Sequence, residues 1–275
     1  MNHSNEKLIE ISKKIRKKCM DLAYAKNPKP THLGGALSSI DILVNLYFGI
    51  MKYDKNNPTY TNRDRFFLSK GHSILGYYNI LCEIGYFSDD ILYTYGENKT
   101  ELPGHPVRNK RLGIEFTNGS LGMGLGVAIG HALAAKKKGL NYHTYVLMGD
   151  GECNEGSVWE GAIAAPHFGL NNLTVVIDRN GFQQTGSNDD VMKISNYSER
   201  FKSFGWETFD IDGHNHLQLS SVFNSKMRDR PRMVVAHTIK GKGFSFTDGN
   251  NSWHHSVLTK IQYTKALEEL GNIFD

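Results

Sequence analysis

The chain has 275 residues, of which 39% are hydrophobic and 22% are charged, as in an ordinary globular domain. Its 32 basic and 28 acidic residues give a net charge of +4, and outside a short basic stretch at residues 13–18 the excess is spread thinly, so no nucleic-acid partner is expected. No apolar run reaches the roughly 18 residues of a membrane span, the N-terminus is too charged for a signal peptide, and the cysteines are scattered, so we expect a cytoplasmic protein with no membrane partner.

Helical periodicity dominates the first part of the chain, and alternating strands and helices follow it. Residues 6–81 are predicted to be mostly helical. Further helices are predicted at residues 127–135 and 155–167, and apolar runs predict strands at residues 142–148, 173–178, 206–210 and 233–238. This alternation predicts an α/β fold, with a parallel sheet flanked by helices. We expect one domain over residues 1–275, with an N-terminal helical arm over about residues 1–110.

The segment from Gly149 to Asn180 is the most informative for chemistry. Gly149-Asp150-Gly151 follows one predicted strand, and Asn180 follows the next, with one helix between them. The carboxyl ends of parallel strands meet at one edge of a sheet, where ligands bind, so Asp150 and Asn180 are expected to converge. Their oxygens suit magnesium or calcium, and the glycines allow a diphosphate to approach the backbone. Gly-Asp-Gly alone is more typical of a strand-to-helix turn with an Asp cap; the position of the asparagine reverses this preference in favour of the metal site.

This segment resembles the thiamin-diphosphate signature, which begins with Gly-Asp-Gly and ends in Asn. Almost the whole chain resembles the N-terminal section of a transketolase, in the form in which that section is a separate polypeptide. Further motifs occur in the order found in that family: Thr31-His32, Lys70-Gly71-His72, Gly104-His105-Pro106, Gly119-Ser120-Leu121-Gly122 and Trp253-His254. The implied fold is therefore the thiamin-diphosphate-binding fold, specifically its diphosphate-binding module.

The resemblance implies roles for three sets of residues. The metal, Mg²⁺ or Ca²⁺, would be held by Asp150, Asn180 and the backbone carbonyl of Phe182. The thiamin diphosphate would be lined by Gly119, Leu121 and Gly151, together with Asn180. The thiazolium ring and the sugar hydroxyls would face His32, His72, His105 and His254, and of these His72 and His254 would also lie near the diphosphate. Glu155 would lie beside the cofactor at a subunit interface.

The implied activity is the transfer of a two-carbon ketol unit from a ketose phosphate to an aldose phosphate. Imidazoles suit this chemistry because they can donate or accept protons near neutral pH. A full-length transketolase continues into a pyrimidine-side domain and a C-terminal domain, which are absent from these 275 residues. We therefore expect activity only with a separate complementary subunit, in an assembly of two copies of each chain.

Three positions depart from the pattern of the family. Thr31 replaces the usual Gly before the first histidine, Val107 replaces an acidic residue after His-Pro, and His255 replaces the Gly of Trp-His-Gly. These departures leave the donor open between an ordinary pentose phosphate and a modified ketose, such as a branched or sulfonated sugar. The alternative functions are a thiamin-dependent 2-oxo-acid dehydrogenase subunit, a 1-deoxyxylulose-5-phosphate synthase-like ligase, and a non-catalytic regulatory subunit.

Overall fold

A five-stranded, entirely parallel sheet forms the centre of the protein in the computed structural model, which describes residues 3–226 and 228–274. The strand order is β1-β2-β3-β5-β4, and neighbouring strands are parallel throughout. The strands are β1 (Arg65–Leu68), β2 (Thr144–Gly149), β3 (Leu173–Arg179), β4 (Glu207–Asp212) and β5 (Arg232–His237). The predicted α/β fold is therefore confirmed.

Helices cover both faces of this sheet. They are α1 (Asn5–Ala25), α2 (Leu33–Ser38), α3 (Ile40–Asn45), α4 (Ile74–Glu83), α5 (Asp89–Leu92), α6 (Met123–Lys137), α7 (Gly156–His167), α8 (Asn188–Val191), α9 (Tyr197–Ser203), α10 (His216–Asn224) and α11 (Lys260–Phe274). A π-helix, Leu46–Ile50, extends α3. None of the helices in the described residues combines the length and the apolar character needed to cross a membrane.

Alternate residues of the strands belong to two separate hydrophobic cores. On β2, Tyr145 and Leu147 pack with the N-terminal helices α1 to α4 and with α10 and α11, whereas Val146 and Met148 pack with α6, α7 and α9. This division follows from the two-residue repeat of a β-strand, which turns successive side chains to opposite faces. Because both faces are covered, the central strands are apolar along their length, as parallel strands usually are.

Strand β1 lies within the stretch that was predicted to be mostly helical, and that prediction was wrong for Arg65–Leu68. The segment is only four residues long and so shows too few side chains for its two-residue repeat to stand out. Its pairing with β2 starts at Arg65 and Thr144, a partner 79 positions away that no local pattern reveals. The helices before and after β1 form one of the two layers on the sheet. The four predicted strands are present, with boundaries displaced by at most two residues.

Candidate active site at the carboxyl edge of the sheet

The ends of β2 and β3 bring Asp150 and Asn180 together as the sequence predicts. The two strands are adjacent and parallel, with Gly149 opposite Asp178. The Oδ2 atom of Asp150 accepts a hydrogen bond from the backbone N–H of Gly181 at 2.7 Å, and its Oδ1 atom accepts one from the N–H of Gly151 at 2.9 Å. The loops after the two strands are therefore joined through this carboxylate.

The side chain of Asn180 is held in one orientation by its neighbours. Its Nδ2 atom donates to Asp178 Oδ2 at 3.3 Å, and its Oδ1 atom accepts from the backbone N–H of Phe182 at 3.1 Å. Asp150 is only 2% exposed, and burial, followed by the charge of Asp178, raises its pKa to about 6. A cation would offset this desolvation, and the carboxylate, amide and carbonyl oxygens available here are the ligands that magnesium and calcium prefer. The residues present therefore fit a hard divalent ion.

One cavity of about 440 Å³ lies above this edge. Every residue that the sequence predicts for metal, cofactor or sugar lines it: His32, His72, His105, Gly119, Leu121, Asp150, Gly151, Glu155, Asn180, Phe182 and His254. A larger cavity of about 880 Å³ lies beside the π-helix and is lined by residues such as Tyr47, Phe48 and Tyr60. It contains none of the predicted residues, so volume alone does not identify the site.

The predicted histidines form a cluster around His32. The centroid of its ring lies 5.7 Å from that of His72, 5.8 Å from that of His105 and 5.4 Å from that of His254. The four come from the start of α2, from the turn after β1, from the loop before α6 and from a 3₁₀ helix near the C-terminus. Segments that are distant in the sequence thus supply one imidazole-lined wall.

Burial keeps these imidazoles neutral at physiological pH. It is the main cause that lowers the pKa of His32 to about 3 and that of His254 to about 4. It also holds the pKa of His72 well below its ordinary value and lowers that of His105. A neutral imidazole has one donor nitrogen and one acceptor nitrogen, so each ring can bind a hydroxyl group or relay a proton without adding charge.

Two lysines in the cavity were not predicted as site residues. Lys70 and Lys240 both line it, although Lys70 falls inside the motif around His72. Lys240 donates to Asn251 Oδ1 at 2.6 Å and lies 3.1 Å from Nδ1 of His254. Burial and then the charge of Lys70 lower the pKa of Lys240 to about 8, as expected for a desolvated cation. The position of Lys240 just after a predicted strand was the sequence signal that could have identified it.

The remaining predicted residues lie at the rim of the cavity. The loop that carries Gly119 and Leu121 is held against β1, because Asn118 Nδ2 donates to the carbonyl of Leu68 at 3.1 Å. Glu155 occupies the N-cap position of α7 and is exposed. By contrast, Glu152 is buried and accepts from the backbone N–H groups of Gly122 at 2.8 Å and Gly149 at 3.0 Å. This unpredicted carboxylate fixes the two glycine loops relative to each other.

The fold and the cavity define an α/β protein with a ligand site at the carboxyl edge of a parallel sheet. The family described as transketolase, thiamine diphosphate binding domain, matches residues 9–273. The chain belongs to this family, which confirms the predicted resemblance and the predicted thiamin-diphosphate-binding fold. It also confirms the predicted class of enzyme, a transferase of the transketolase type.

Individual relatives agree with this assignment. The chain is 40% identical over 262 residues to a subunit of the apulose-4-phosphate transketolase of Phocaeicola vulgatus, covering 94% of this chain and 92% of that protein. It is 38% identical over 241 residues to the 6-deoxy-6-sulfo-D-fructose transketolase subunit SqwG of a Clostridium species, covering 87% and 88%. Among solved structures, transketolase from Leishmania mexicana superposes with a TM-score of 0.88 at 27% identity over 98% of this chain. This chain spans 42% of that one.

Proposed function

We propose that this chain is the cofactor-binding subunit of a two-subunit transketolase, which transfers a two-carbon ketol unit from a ketose phosphate to an aldose phosphate. The observation that carries the proposal is the convergence of hard oxygen ligands, neutral imidazoles and two lysines in one cavity. A metal–diphosphate group needs the oxygen ligands and the cationic Lys240, since Lys70 is already paired with Asp178. A polyhydroxylated sugar needs the imidazoles. The names of the relatives, which are transketolase subunits, favour this function over the 2-oxo-acid dehydrogenase, synthase and regulatory alternatives.

The metal would be Mg²⁺, held by the carboxylate of Asp150, the amide oxygen of Asn180 and the backbone carbonyl of Phe182. Three protein ligands leave positions for phosphate oxygens and water, as magnesium usually requires. Because Gly151 has no Cβ atom, its backbone could approach a diphosphate closely. A Cβ atom there would also lie 2.7 Å from Cγ of Gln183, another residue of the cavity. Among residues 3–226 and 228–274, no carboxylate lies within ion-pair distance of Lys240, so a diphosphate would supply its counter-charge.

Thiamin diphosphate, when bound, supplies the electron sink that carbon–carbon bond cleavage needs. The chain would provide orientation and proton transfer. Because the ammonium group of Lys240 can only donate, Nδ1 of His254 accepts its hydrogen bond, and the imidazole proton lies on Nε2. That N–H group would donate to a substrate hydroxyl or carbonyl oxygen. The other hydroxyl groups of the sugar would be bound by His32, His72 and His105. Burial keeps these three imidazoles neutral as well.

The second subunit would complete the site beside Glu155 and the outer face of α6 and α7. Met123 and Ile163 are 50% and 57% exposed on this face. Added Cβ atoms at Gly126 and Gly130 would meet nothing within 4 Å, so a helix of a partner could approach the backbone of α6 closely. A pyrimidine-side subunit docked here would bury Glu155 next to the cofactor. We propose two copies of each subunit, acting in the cytoplasm.

The donor sugar is proposed to be a modified ketose phosphate or sulfonate. The relatives are named for apulose-4-phosphate and for 6-deoxy-6-sulfo-D-fructose, and both contrast with the ordinary pentose phosphates. Thr31 and His255 lie beside the histidine cluster, where a different side chain would alter the shape of the space that is available to the sugar.

The decisive experiment is co-expression of both subunits, followed by an assay of the purified complex against a panel of ketose phosphates and sulfonates with an aldose phosphate acceptor. Two-carbon transfer that requires both chains, Mg²⁺ and thiamin diphosphate is expected. Turnover of pyruvate with an artificial electron acceptor, or condensation of pyruvate with an aldose phosphate, would instead favour the dehydrogenase or synthase alternative.

Cofactor binding can be measured separately by isothermal titration calorimetry. Asp150→Ala should abolish the Mg²⁺-dependent part of thiamin diphosphate binding, and Lys240→Met should weaken binding at least tenfold. Lys242→Met is the matched control, because this lysine lies two residues away and is paired with Asp248 at 3.8 Å. Unchanged cofactor affinity in both site variants would contradict the proposed roles of Asp150 and Lys240.

A further inference from the structure

A fifth histidine, His255, stacks directly on His32. The ring centroids are 4.3 Å apart and the ring planes are inclined by 27°, which is the closest contact in the histidine cluster. In the sequence, His255 stands out only as a departure from the Gly that is usual at this position, and no role was predicted for it. The structure therefore places an additional imidazole against His32, which lines the cavity, at one of the two positions where the family usually has Gly.

The backbone fixes this contact. Thr31 and Ser256 form an antiparallel β-bridge. The backbone N–H of Thr31 donates to the carbonyl oxygen of Ser256 at 2.9 Å, and the backbone N–H of Ser256 donates to the carbonyl oxygen of Thr31 at 3.1 Å. His32 follows Thr31, and His255 precedes Ser256, so the bridge holds the two rings side by side. Two of the three departures from the family pattern, at Thr31 and His255, thus meet in one local structure.

His255 also affects the pKa values of two other histidines in the cluster. After burial, the charge of His255 is the largest cause that lowers the pKa of His32 and that of His105. His255 is exposed, whereas His32 is partly buried. The fifth imidazole therefore lies against His32 at the exposed edge of the cavity, outside the residues that line it. A sugar that enters at this edge, called the entrance below, would pass His255.

We propose that His255 is a specificity-determining residue, which covers the outer face of His32 and hydrogen-bonds a hydroxyl or anionic oxygen that a modified ketose carries at this entrance. This rests on the proposed function. With glycine, the entrance would be wider and would have no donor at this position. With histidine, an imidazole fills that space and offers one polar group, so sugars that lack the matching oxygen bind less well. Because His255 is exposed, water can satisfy its N–H group when a sugar lacks that oxygen, so the expected discrimination is that of one hydrogen bond.

The test uses the complex of both subunits and compares kcat/KM for the best ketose of the panel with kcat/KM for an ordinary pentose phosphate. His255→Ala should lower the ratio of these two values about tenfold, which is the effect of one lost hydrogen bond. His255→Phe keeps a ring on His32 but removes the N–H group, and it should lower the ratio to a similar extent. The loss should arise mainly in KM for the sugar, with the dissociation constant of thiamin diphosphate unchanged.

Val257→Ala is the matched control, because Val257 lies in the same segment and is 39% exposed; it should leave the ratio at the wild-type value. If the wild-type complex transfers two-carbon units and both His255 variants keep the wild-type ratio of kcat/KM values, the proposed role of His255 is wrong. The proposed function would not be affected by that result. A ratio preserved in His255→Phe but lost in His255→Ala would overturn the hydrogen bond. A wild-type complex that transfers from no sugar would instead overturn the proposed function.

Discussion

Lys70 and Asp178 form an ion pair in the interior of the protein, with side chains only 1% and 0% exposed. Lys70 follows β1, and Asp178 lies near the end of β3, so the pair spans β2 below the candidate site. Asp178 also accepts hydrogen bonds from Ser38 Oγ at 2.6 Å and from Asn180 Nδ2 at 3.3 Å. Although burial raises the pKa of Asp178, the charge and hydrogen bond of Lys70 and the hydrogen bonds from Ser38 and Thr238 lower it below its ordinary value. The carboxylate therefore remains charged and links several segments of the site.

Lys70→Met should destabilise the protein by about 3–5 kcal/mol, because it leaves the buried carboxylate of Asp178 without its counter-charge. The free energy of unfolding in urea, followed by circular dichroism, measures the loss. The double variant Lys70→Met/Asp178→Asn should be less destabilised than the sum of the two single variants, since neither buried charge is then left alone. Strict additivity of the two single losses would show that the pair is not energetically coupled.

The turn that carries Lys240 depends on a glycine at position 241. Gly241 has φ of +78°, and a Cβ atom there would lie 2.2 Å from the backbone oxygen of Thr247. Gly249 has φ of +68° but has nothing within 4 Å of its added Cβ. Both alanine variants would bear the cost of a left-handed conformation, about 1–2 kcal/mol. Only Gly241→Ala would also force two backbone segments apart.

Gly241→Ala is therefore expected to lose several kcal/mol of stability, and Gly249→Ala only about 1–2 kcal/mol. Urea unfolding of the two variants gives the comparison directly. Gly241→Ala should also weaken thiamin diphosphate binding, because the displaced turn moves Lys240. Equal losses of stability in the two variants would mean that the turn relaxes around the new methyl group.

His143 makes the stability depend on pH at a place remote from the candidate site. Its Nε2 atom lies 2.8 Å from Oγ1 of Thr174, and burial, followed by the charge of Arg232, lowers its pKa from 6.5 to about 3. The folded pKa is thus below the unfolded one, so at acid pH the unfolded chain binds more protons than the folded one. The free energy of unfolding should fall as the pH drops through 6.5 towards 3.

His143→Gln keeps a group that can hydrogen-bond Thr174 but removes this titration. Between pH 7 and pH 5 it should lose about 1 kcal/mol less stability than the wild type, allowing for the partial exposure of the imidazole. Urea unfolding at the two pH values checks the difference, with His167→Gln as a control at an exposed histidine. If His143→Gln and the wild type have the same dependence on pH, His143 is not a source of acid sensitivity.

Local patterns in the sequence were enough to predict the α/β fold and the convergence of Asp150 and Asn180. Apolar runs separated by one amphipathic helix imply adjacent parallel strands, and adjacent parallel strands have their carboxyl ends at one edge. The ordered histidine motifs also identified the family from the sequence, because each motif is a short run of neighbouring residues.

Other features of the site depend on tertiary packing and could not be predicted from local patterns in the sequence. Strand β1 was recognisable only from its pairing with β2, the ion partner of Lys70 is 108 positions away, and Lys240 reaches the cavity from a turn after β5. His255 meets His32 because the bridge between Thr31 and Ser256 joins two segments that are far apart in the sequence. Contacts of this kind depend on how distant segments pack around the sheet, and residue periodicity carries information only about the segment in which it occurs.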